Sequence, residues 1–331
     1  MPYRNALPSE IHGLTDQELA LVNVQIAEPF RQLLADQQVD DLPDTMLNSF
    51  YLPLAAALAK ATRNKSGTLI VGVNGAQGSG KTTLCSILTL LLESGFGLRV
   101  ASLSIDDLYL TRSERDKLGK SVHPLLVTRG VPGTHDVKLG VQLLTELQKT
   151  QAGRKISIPG FDKSIDDRIP QSDWRMVKTP LDIILFEGWC VGATPQATEE
   201  LRHPVNSLEE LDDAEGRWRE YVNSQLATDY AHLFASFDLL LMLEIPGMEW
   251  VFTWRGLQEQ KLAAQSQRTA ATQLMDKAAL QRFIMHYERL TRHMLAEMPE
   301  RANLVLRLNS AHQVDAVRIN NWPATKGKRK T

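Results

Sequence analysis

A glycine-rich segment of the chain has the residue types and spacing that bind phosphate. Residues 75–82 read Gly-Ala-Gln-Gly-Ser-Gly-Lys-Thr and match G-x-x-x-x-G-K-[ST] at every fixed position. Glycines accept positive φ, so successive backbone N–H groups can turn toward one phosphate. Lys81 offers a charge to the β- and γ-phosphates of a nucleotide, and Thr82 offers a hydroxyl to Mg²⁺. The segment predicts a nucleotide-binding loop of Gly75, Ala76, Gln77, Gly78, Ser79, Gly80, Lys81, Thr82 and Thr83.

The segments on either side of this loop fit the motif. Residues 68–73 form an apolar run typical of a strand buried on both faces. Residues 82–93 carry apolar side chains at helical spacing, and a second strand is predicted over residues 98–105. Strand, helix and strand in this order form a βαβ unit with parallel strands. We therefore expect an α/β fold of the P-loop NTPase class, with a doubly wound, mostly parallel sheet flanked by helices.

The rest of the chain continues this alternation. Further strands are predicted over residues 155–158, 181–186, 238–245 and 303–308, with helices near 137–149, 208–233 and 276–297. Residues 15–63 read as helical and begin with a capping box of Thr15 and Glu18. We predict an N-terminal helical extension over residues 1–65, a P-loop domain over 66–322 and a flexible basic tail over 323–331.

Carboxylates follow two of the predicted strands. Asp106 and Asp107 come directly after residues 98–105, and Glu187 follows residues 181–186. Ligands of open parallel sheets bind at the carboxyl ends of the strands, which favours a functional interpretation over a turn or helix-cap acid. A carboxylate after the second strand could accept the proton of an acceptor hydroxyl and orient it. Glu187 could hold Mg²⁺ opposite Thr82, directly or through water.

Composition excludes several classes of function. The 331 residues include 37 basic and 39 acidic side chains, so the net charge of −2 provides no global positive field for nucleic acid. Cys85 and Cys190 lie far apart in apolar segments and predict free core thiols, not a disulfide or a zinc site. Without a signal sequence or a long apolar run, we expect a soluble cytoplasmic protein with no membrane partner, monomeric or homodimeric.

Several segments in order resemble the phosphoribulokinase and uridine kinase branch of P-loop kinases. They resemble most closely the D-glycerate 3-kinases of the plant and cyanobacterial type. The resemblance rests on residues 71–83, 104–111, 129–136, 159–163 and 186–189, and runs from about residue 45 to the C-terminus. It implies an ATP-dependent small-molecule kinase that uses Mg²⁺ and converts D-glycerate to 3-phosphoglycerate.

The resemblance also implies roles for individual residues. Asp106 would be the catalytic base, with Tyr109 as the aromatic residue three positions later and Asp107 as its neighbour. Glu187 would be the metal-associated acid beside Thr82. The acceptor site would be lined by Arg129, His135, Asp162, Lys163 and Trp189, with Asp136 as a further contact. A hydrogen-bonded loop histidine is an alternative for His135, and packing is an alternative for Trp189. Beside Lys81, a lid arginine would neutralise charge during transfer: Arg255, in a segment with Gln258 and Glu259, or the competing Arg168.

One segment departs from the family pattern. Asp166-Asp167-Arg168 stands where a more basic or glycine-containing loop is expected, which leaves the acceptor open to alternatives such as pantothenate or a nucleoside. Two other classes also remain: a nucleotide switch or ATPase without a small acceptor, and a non-catalytic binding protein. The first is disfavoured because neither N-K-x-D nor an L-S-G-G-Q-like segment follows the loop. The second is disfavoured by the joint presence of Lys81, Thr82, Asp106 and Glu187.

Overall fold

The computed structural model describes residues 2–37, 39, 42–266 and 277–323. Within these residues it contains the strands β1 (Leu69–Gly75), β2 (Val100–Ser104), β3 (Lys155–Ile158), β4 (Phe161–Asp162), β5 (Asp167–Arg168), β6 (Arg175–Lys178), β7 (Ile183–Gly188), β8 (Leu239–Glu244), β9 (Leu304–Leu308) and β10 (Val314–Ile319). The helices are α1 (Ser9–His12), α2 (Asp16–Asp36), α3 (Asp44–Met46), α4 (Leu52–Asn64), α5 (Lys81–Leu90), α6 (Arg112–Ser121), α7 (Val137–Leu147), α8 (Ser207–Asp212), α9 (Arg217–Gln225), α10 (Ala231–Phe234), α11 (Met248–Ser266) and α12 (Lys277–Arg301).

A six-stranded sheet occupies the centre, with strand order β10-β9-β8-β1-β7-β2. The pairs β2–β7, β7–β1, β1–β8 and β8–β9 are parallel, and β10 is antiparallel to β9. The predicted α/β class with a mostly parallel sheet is thereby confirmed. β1 and β2 are not neighbours, because β7 lies between them and pairs with both. This order brings Glu187 between the phosphate loop and the end of β2.

Alternate side chains of the strands enter two hydrophobic cores on opposite faces of the sheet. Leu69, Val71 and Val73 belong to the core that includes residues of α4 and α5. Ile70 and Ile184 belong to the core that includes residues of α7 and α12. Because strands buried on both faces have no polar side, they read in the sequence as continuous apolar runs.

The N-terminal segment packs on the first of these cores. Ile26 and Phe30 of α2 lie in the same buried cluster as Leu58 of α4 and Leu88 of α5. The N-terminal capping box of α2 is present, with Thr15 and Glu18 bonding reciprocally. The start of the chain also pairs with β10 through Arg4 and Val317. The domain boundaries at residues 65 and 322 remain predictions.

Some elements differ from the expectation. The strand over 155–158 forms, but β3 pairs only with β6 in a separate two-stranded antiparallel sheet. The helix over 208–233 is interrupted between α8 and α9, where Gly216 adopts φ +80 and begins the second helix. β10 and α11 were not predicted. Residues 324–331 of the predicted tail lie outside the described residues.

Two further expectations can be compared with the part of the chain that the structure describes. No helix in it has both the length and the apolar character needed to cross a bilayer. Cys85 and Cys190 are both free and buried, as predicted.

Candidate active site

The phosphate loop connects β1 to α5. Gly78 and Gly80 adopt φ values of +78 and +87, which residues with a Cβ rarely adopt. Gly80 is the N-cap of α5, so the free N–H groups of the first helical turn face the loop. The Lys81 Nζ lies 3.1 Å from the carbonyl oxygen of Ala76, within the same loop. The loop therefore presents backbone donors, a helix N-terminus and an ammonium group to one place.

Polar side chains within the loop lack partners among the described residues. Both amide atoms of Gln77 and the Oγ of Ser79 are buried without a hydrogen bond. Buried polar groups are normally paired, so such atoms call for a ligand or water. The phosphates of a nucleotide have the acceptor oxygens that donors at these positions require. The loop thus fits a nucleotide both by its backbone and by its unpaired side chains.

Thr82 and Glu187 meet across the sheet edge. The Thr82 Oγ1 donates to Glu187 Oε1 at 3.0 Å, and Glu187 is only 7% exposed. Hydroxyl and carboxylate oxygens are the ligand types that Mg²⁺ prefers, so the two residues fit that ion. The described residues contain no group of three or more His, Cys, Asp or Glu side chains arranged as a metal site. A cation at Thr82 would take its remaining ligands from phosphates and water.

Asp106 lies at the same edge. Ser104, at the end of β2, is the register partner of Glu187, and Asp106 follows in the 3₁₀ turn Ile105–Leu108. Its Oδ1 accepts a hydrogen bond from the Tyr109 hydroxyl at 2.8 Å, and its Oδ2 pairs with Lys163. Burial disfavours the ionised form, but the Lys163 charge and the hydrogen bonds from Lys163 and Tyr109 outweigh it. The pKa of Asp106 is lowered to about 2, so its carboxylate is ionised at neutral pH.

The neighbouring Asp107 has the opposite shift. Burial, and then repulsion from the Asp106 carboxylate, raises the pKa of Asp107 to about 6. Glu187 adds to this repulsion, which places the three carboxylates within electrostatic reach of one another. A concentration of negative charge beside a phosphate loop is typical of sites that bind a divalent cation.

His135 stacks on the aromatic neighbour of Asp106. Its ring lies 4.5 Å from that of Tyr109 at an interplanar angle of 22°. His135 Nδ1 lies 2.6 Å from the Tyr230 hydroxyl, while Nε2 is buried without a partner among the described residues. Burial lowers the pKa of His135 to about 4, so the ring is neutral at physiological pH. Asp136 is occupied differently, since its Oδ1 caps α7 by accepting from the N–H of Leu139.

Arg129 and Lys163 bring two cations toward this region. The Arg129 guanidinium pairs with Asp166 and lies 5.6 Å from the centre of the Phe161 ring. Lys163 is 59% exposed and reaches Asp106 from the β4–β5 hairpin. Asp162, at the start of the same turn, accepts hydrogen bonds from the N–H and hydroxyl of Ser164, the arrangement of a turn acid.

Trp189 is placed as a packing residue. It is 3% exposed, and its Nε1 donates to the carbonyl oxygen of Gly130 at 2.8 Å. Its ring meets that of Tyr287 edge-on at 4.8 Å. This geometry favours the packing interpretation, in which Trp189 supports the segment 129–136 through Gly130. A direct substrate contact by Trp189 stays a prediction.

The two candidate lid arginines occupy different environments. Arg255 lies on α11, and its backbone nitrogen would be 3.3 Å from a Cβ placed on Gly78, so it borders the phosphate loop. Arg168 instead donates to the carbonyl oxygen of Tyr109 at 2.9 Å, and its side chain is 15% exposed. The position of Arg255 suits a lid role better. The side chains of Gln258 and Glu259 lie outside the described residues.

Several contacts at the site were not predicted from the sequence. Tyr230 and Tyr287 come from helices far along the chain, and no local pattern marks either as a site residue. In the sequence, Asp166 stands out only as part of a departure from the family pattern. Since its partner Arg129 is 37 positions away, only the folded chain reveals the pair.

A cavity of about 300 Å³ lies elsewhere in the molecule. It is lined by His123, Pro124, Leu125, Thr128, Asp212, Arg282 and His286. None of the predicted site residues lines it, and it lacks a phosphate-binding loop. The predicted site residues are therefore separate from this cavity.

Comparisons with known proteins agree with the fold and the loop. No protein-family model matches the chain. The uncharacterized kinase mug58 of Schizosaccharomyces pombe is 32% identical over 243 residues, which cover 70% of this chain and 82% of that protein. The chloroplastic D-glycerate 3-kinase of Arabidopsis thaliana is 34% identical over 194 residues, or 56% of this chain and 40% of that protein.

The similarity to one solved structure covers nearly the whole of the compared protein. The D-glycerate 3-kinase of Cryptococcus neoformans var. grubii superposes with a TM-score of 0.65 at 28% identity, covering 81% of this chain and 97% of that chain. The similar proteins named above are kinases, and the phosphate loop of this chain has the geometry to bind a nucleotide. The chain belongs to the D-glycerate 3-kinase-like family of P-loop kinases.

Proposed function

We propose that this ATP-dependent small-molecule kinase transfers the γ-phosphate of ATP to D-glycerate and forms 3-phosphoglycerate. The observation that carries the proposal is the meeting of Thr82, Glu187 and Asp106 at one sheet edge. A nucleotide held by the loop would direct its terminal phosphate toward the carboxyl end of β2, where Asp106 can orient an acceptor hydroxyl. The two D-glycerate 3-kinases among the similar proteins support this choice of acceptor.

The residues at the phosphate end of the site would bind the phosphates and hold Mg²⁺. The backbone N–H groups of residues 75–82 and the ammonium group of Lys81 hold and neutralise the phosphates. Thr82 and Glu187 would hold Mg²⁺, which supplies charge neutralisation on the phosphates when bound. Arg255, beside the loop, would add positive charge in the transition state. Phosphoryl transfer depends mostly on positioning and electrostatic stabilisation, so no covalent step by the protein is required.

Asp106 would act by orientation more than by proton abstraction. A carboxylate with a pKa of about 2 is a weak base but a strong hydrogen-bond acceptor for a hydroxyl. Tyr109 and Lys163 fix its two oxygens, so the acceptor hydroxyl would meet a carboxylate of defined orientation. The proton can pass to Asp106 late, when the oxygen–phosphorus bond is nearly formed and the hydroxyl has become acidic.

The acceptor end favours an acid. Lys163 pairs with Asp106, and Arg129 lies over the Phe161 ring in the candidate acceptor site. An arginine can pair with a carboxylate through two hydrogen bonds. Phe161, Tyr109 and His135 form aromatic surfaces beside them. A small hydroxy acid matches this combination of one hydroxyl-orienting carboxylate and nearby cations.

An acceptor panel tests the proposal. The purified protein is incubated with ATP, Mg²⁺ and D-glycerate, L-glycerate, pantothenate or uridine, and ADP release is coupled to an optical readout. We expect turnover with D-glycerate and formation of 3-phosphoglycerate, identified by mass spectrometry and by an enzyme specific for that isomer. Lys81→Ala, prepared in parallel, controls for contaminating kinases. Acceptor-independent hydrolysis would instead support a nucleotide switch, and nucleotide binding without turnover would support a non-catalytic protein.

A further inference from the structure

The turn of the β4–β5 hairpin contains an aspartate in a left-handed conformation. β4 and β5 pair Phe161 with Arg168 and Asp162 with Asp167, so residues 163–166 form the turn. Asp166 has φ +56, a region that Asp and Asn enter more readily than other residues with a side chain. This is the segment whose acidic character departs from the family pattern. In this conformation the Asp166 carboxylate contacts Arg129, the first residue of the segment 129–136.

Three arginines contact this carboxylate. Arg115 is fully buried and lies 3.0 Å from Oδ2, while its Nη1 donates to the carbonyl oxygen of Val127. Arg112 approaches the same oxygen from the surface at 3.1 Å. The third is Arg129, which contacts Oδ1. Arg115 and Arg112 are therefore structural partners on one oxygen, and among the described residues only Arg129 pairs with the other.

Arg129 is also connected to the reacting end of the site. Its guanidinium faces the Phe161 ring, which meets the Tyr109 ring edge-on at 5.2 Å, and the Tyr109 hydroxyl bonds to Asp106. Lys163, from the same turn as Asp166, contacts Asp106. One short turn thus supplies a partner to each end of the acceptor site. Its Lys163 pairs with the Asp106 carboxylate, and its Asp166 pairs with the Arg129 guanidinium.

We propose that Asp166 is an internal counter-anion of Arg129 that competes with the carboxylate of the acceptor and sets the affinity for acids. The inference rests on the proposed function, because it requires an acidic acceptor. The exchange is balanced in charge: one carboxylate replaces another on the same guanidinium. Asp166 keeps Arg112 and Arg115 when Arg129 changes partner, so no buried charge is left unpaired. An uncharged acceptor cannot make this exchange, so the pair also selects against it.

Asp166→Asn tests the competition. Asparagine accepts the left-handed conformation, so the turn should be retained while the competing charge is removed. We expect the KM for D-glycerate to fall by about 3- to 10-fold, the range that a partly buried ion pair can supply, with kcat and the KM for ATP unchanged. The inhibition constant of acetate, a carboxylate without a hydroxyl, should fall by a similar factor. A purely structural role predicts the opposite, because loosened arginines would raise the KM.

Asp167→Asn is the matched control. It makes the same chemical change one residue later, where the carboxylate accepts from the N–H groups of Arg112 and Arg168 and does not contact the Arg129 side chain. We expect the acceptor KM of this variant to stay at the wild-type value. If Asp166→Asn melts at a much lower temperature, Asp166→Gly repeats the test, since glycine also tolerates positive φ.

The outcomes separate this inference from the proposed function. An unchanged or raised KM in Asp166→Asn, while the wild type phosphorylates D-glycerate, overturns the counter-anion role alone. Phosphorylation of a different acid overturns the proposed acceptor, and the variants are then compared with that acid. If the protein phosphorylates uncharged acceptors and no acid, both the proposed acceptor and the counter-anion role are overturned. If no turnover occurs, calorimetric titration of D-glycerate into both proteins with ADP and Mg²⁺ gives the same comparison, and equal affinities overturn the role.

Discussion

The carboxylate of Asp106 is held between a cation and a phenol, and this determines what it can do in catalysis. Lys163 and Tyr109 occupy one oxygen each and lower its pKa to about 2. An acceptor hydroxyl would therefore bind to a carboxylate that is already ionised and oriented. The benefit for the proposed transfer would come from preorganisation, because the groups need no reorientation at the moment of transfer.

Replacing this carboxylate by an amide should abolish most of the activity. Asp106→Asn keeps the shape and the Tyr109 hydrogen bond but removes the charge, so we expect kcat to fall on the order of 10²- to 10³-fold. Steady-state kinetics with saturating ATP measure the effect, and nucleotide affinity should be preserved. Lys81→Ala should lose at least as much, through weakened binding of the phosphates. Near-normal turnover of Asp106→Asn would transfer the base role to Asp107.

Asp107 should make stability depend on pH in a defined window. Its carboxyl has a pKa of 3.8 when unperturbed and about 6 in the folded protein, so the folded state binds more protons between these values. Stability contributed by this group is therefore lost as pH rises from about 4 to 6. Asp107→Asn removes the ionisation, and we expect it to raise the melting temperature at pH 7.5.

The sign of this effect is checked by repeating the melts at lower pH. The advantage of Asp107→Asn should shrink toward pH 4, where the wild-type carboxyl is protonated in the folded state. Asp106 acts in the opposite direction: its lowered pKa gives stability that is lost as pH falls from about 4 toward 2. An Asp107→Asn variant that is destabilised equally at all pH values would contradict the raised pKa.

At the scale of elements, the phosphate loop depends on its contact with α11. A Cβ on Gly78 would lie 3.1 Å from the Cβ of Trp254 and 3.3 Å from the backbone nitrogen of Arg255. The loop and the helix that carries the candidate lid arginine therefore approach each other as closely as a glycine permits. Trp254 in turn stacks on His312 at 4.2 Å, which ties this helix to the loop before β10.

Gly78→Ala should strain the backbone and, because its Cβ would press on α11, should also weaken nucleotide binding. Gly78 and Gly153 have nearly the same φ, +78 and +76, but nothing lies within 4 Å of a Cβ on Gly153. Both substitutions should lose about 1 kcal/mol of stability from the left-handed conformation. Only Gly78→Ala should also raise the dissociation constant for ATP, by roughly 10-fold or more, as measured by calorimetry. Equal ATP affinities of the two variants would contradict the close approach.

The elements differ in how well the sequence predicts them, and the difference has a physical cause. β1, β7 and β8 are buried on both faces, so their apolar runs identify them within two residues of their observed ends. The sequence predicts β3 as a strand, but its place outside the central sheet depends on a distant partner, β6. β10 escaped prediction because Asp315 and Arg318 interrupt its apolar side chains, so this edge strand has no continuous apolar run. The phosphate loop is local in sequence, whereas the acceptor end is assembled from separated segments, which local patterns do not reveal.

At the scale of the whole molecule, the N-terminal helices share a core with the kinase sheet. α2 contributes Ile26, which is fully buried, to the cluster that contains Val71 of β1 and Leu88 of α5. The Tyr3 hydroxyl bonds to Glu244, at the end of β8, and burial followed by this contact raises the pKa of Tyr3 to about 12. The extension predicted from the sequence thus shares a buried core with β1 and α5, the two elements that flank the phosphate loop.

This packing predicts that the extension and the sheet unfold together. Ile26→Ala should lower the free energy of unfolding by about 2–5 kcal/mol, the cost of emptying a buried aliphatic site. Leu21→Ala, on the same helix but 71% exposed, should change it by less than about 0.5 kcal/mol. Denaturant unfolding is followed by far-ultraviolet circular dichroism and by loss of nucleotide binding. In a single cooperative unit both probes shift to the same lower midpoint. An early transition in helicity that leaves nucleotide binding at the wild-type midpoint would mean that the N-terminal helices form an independent unit.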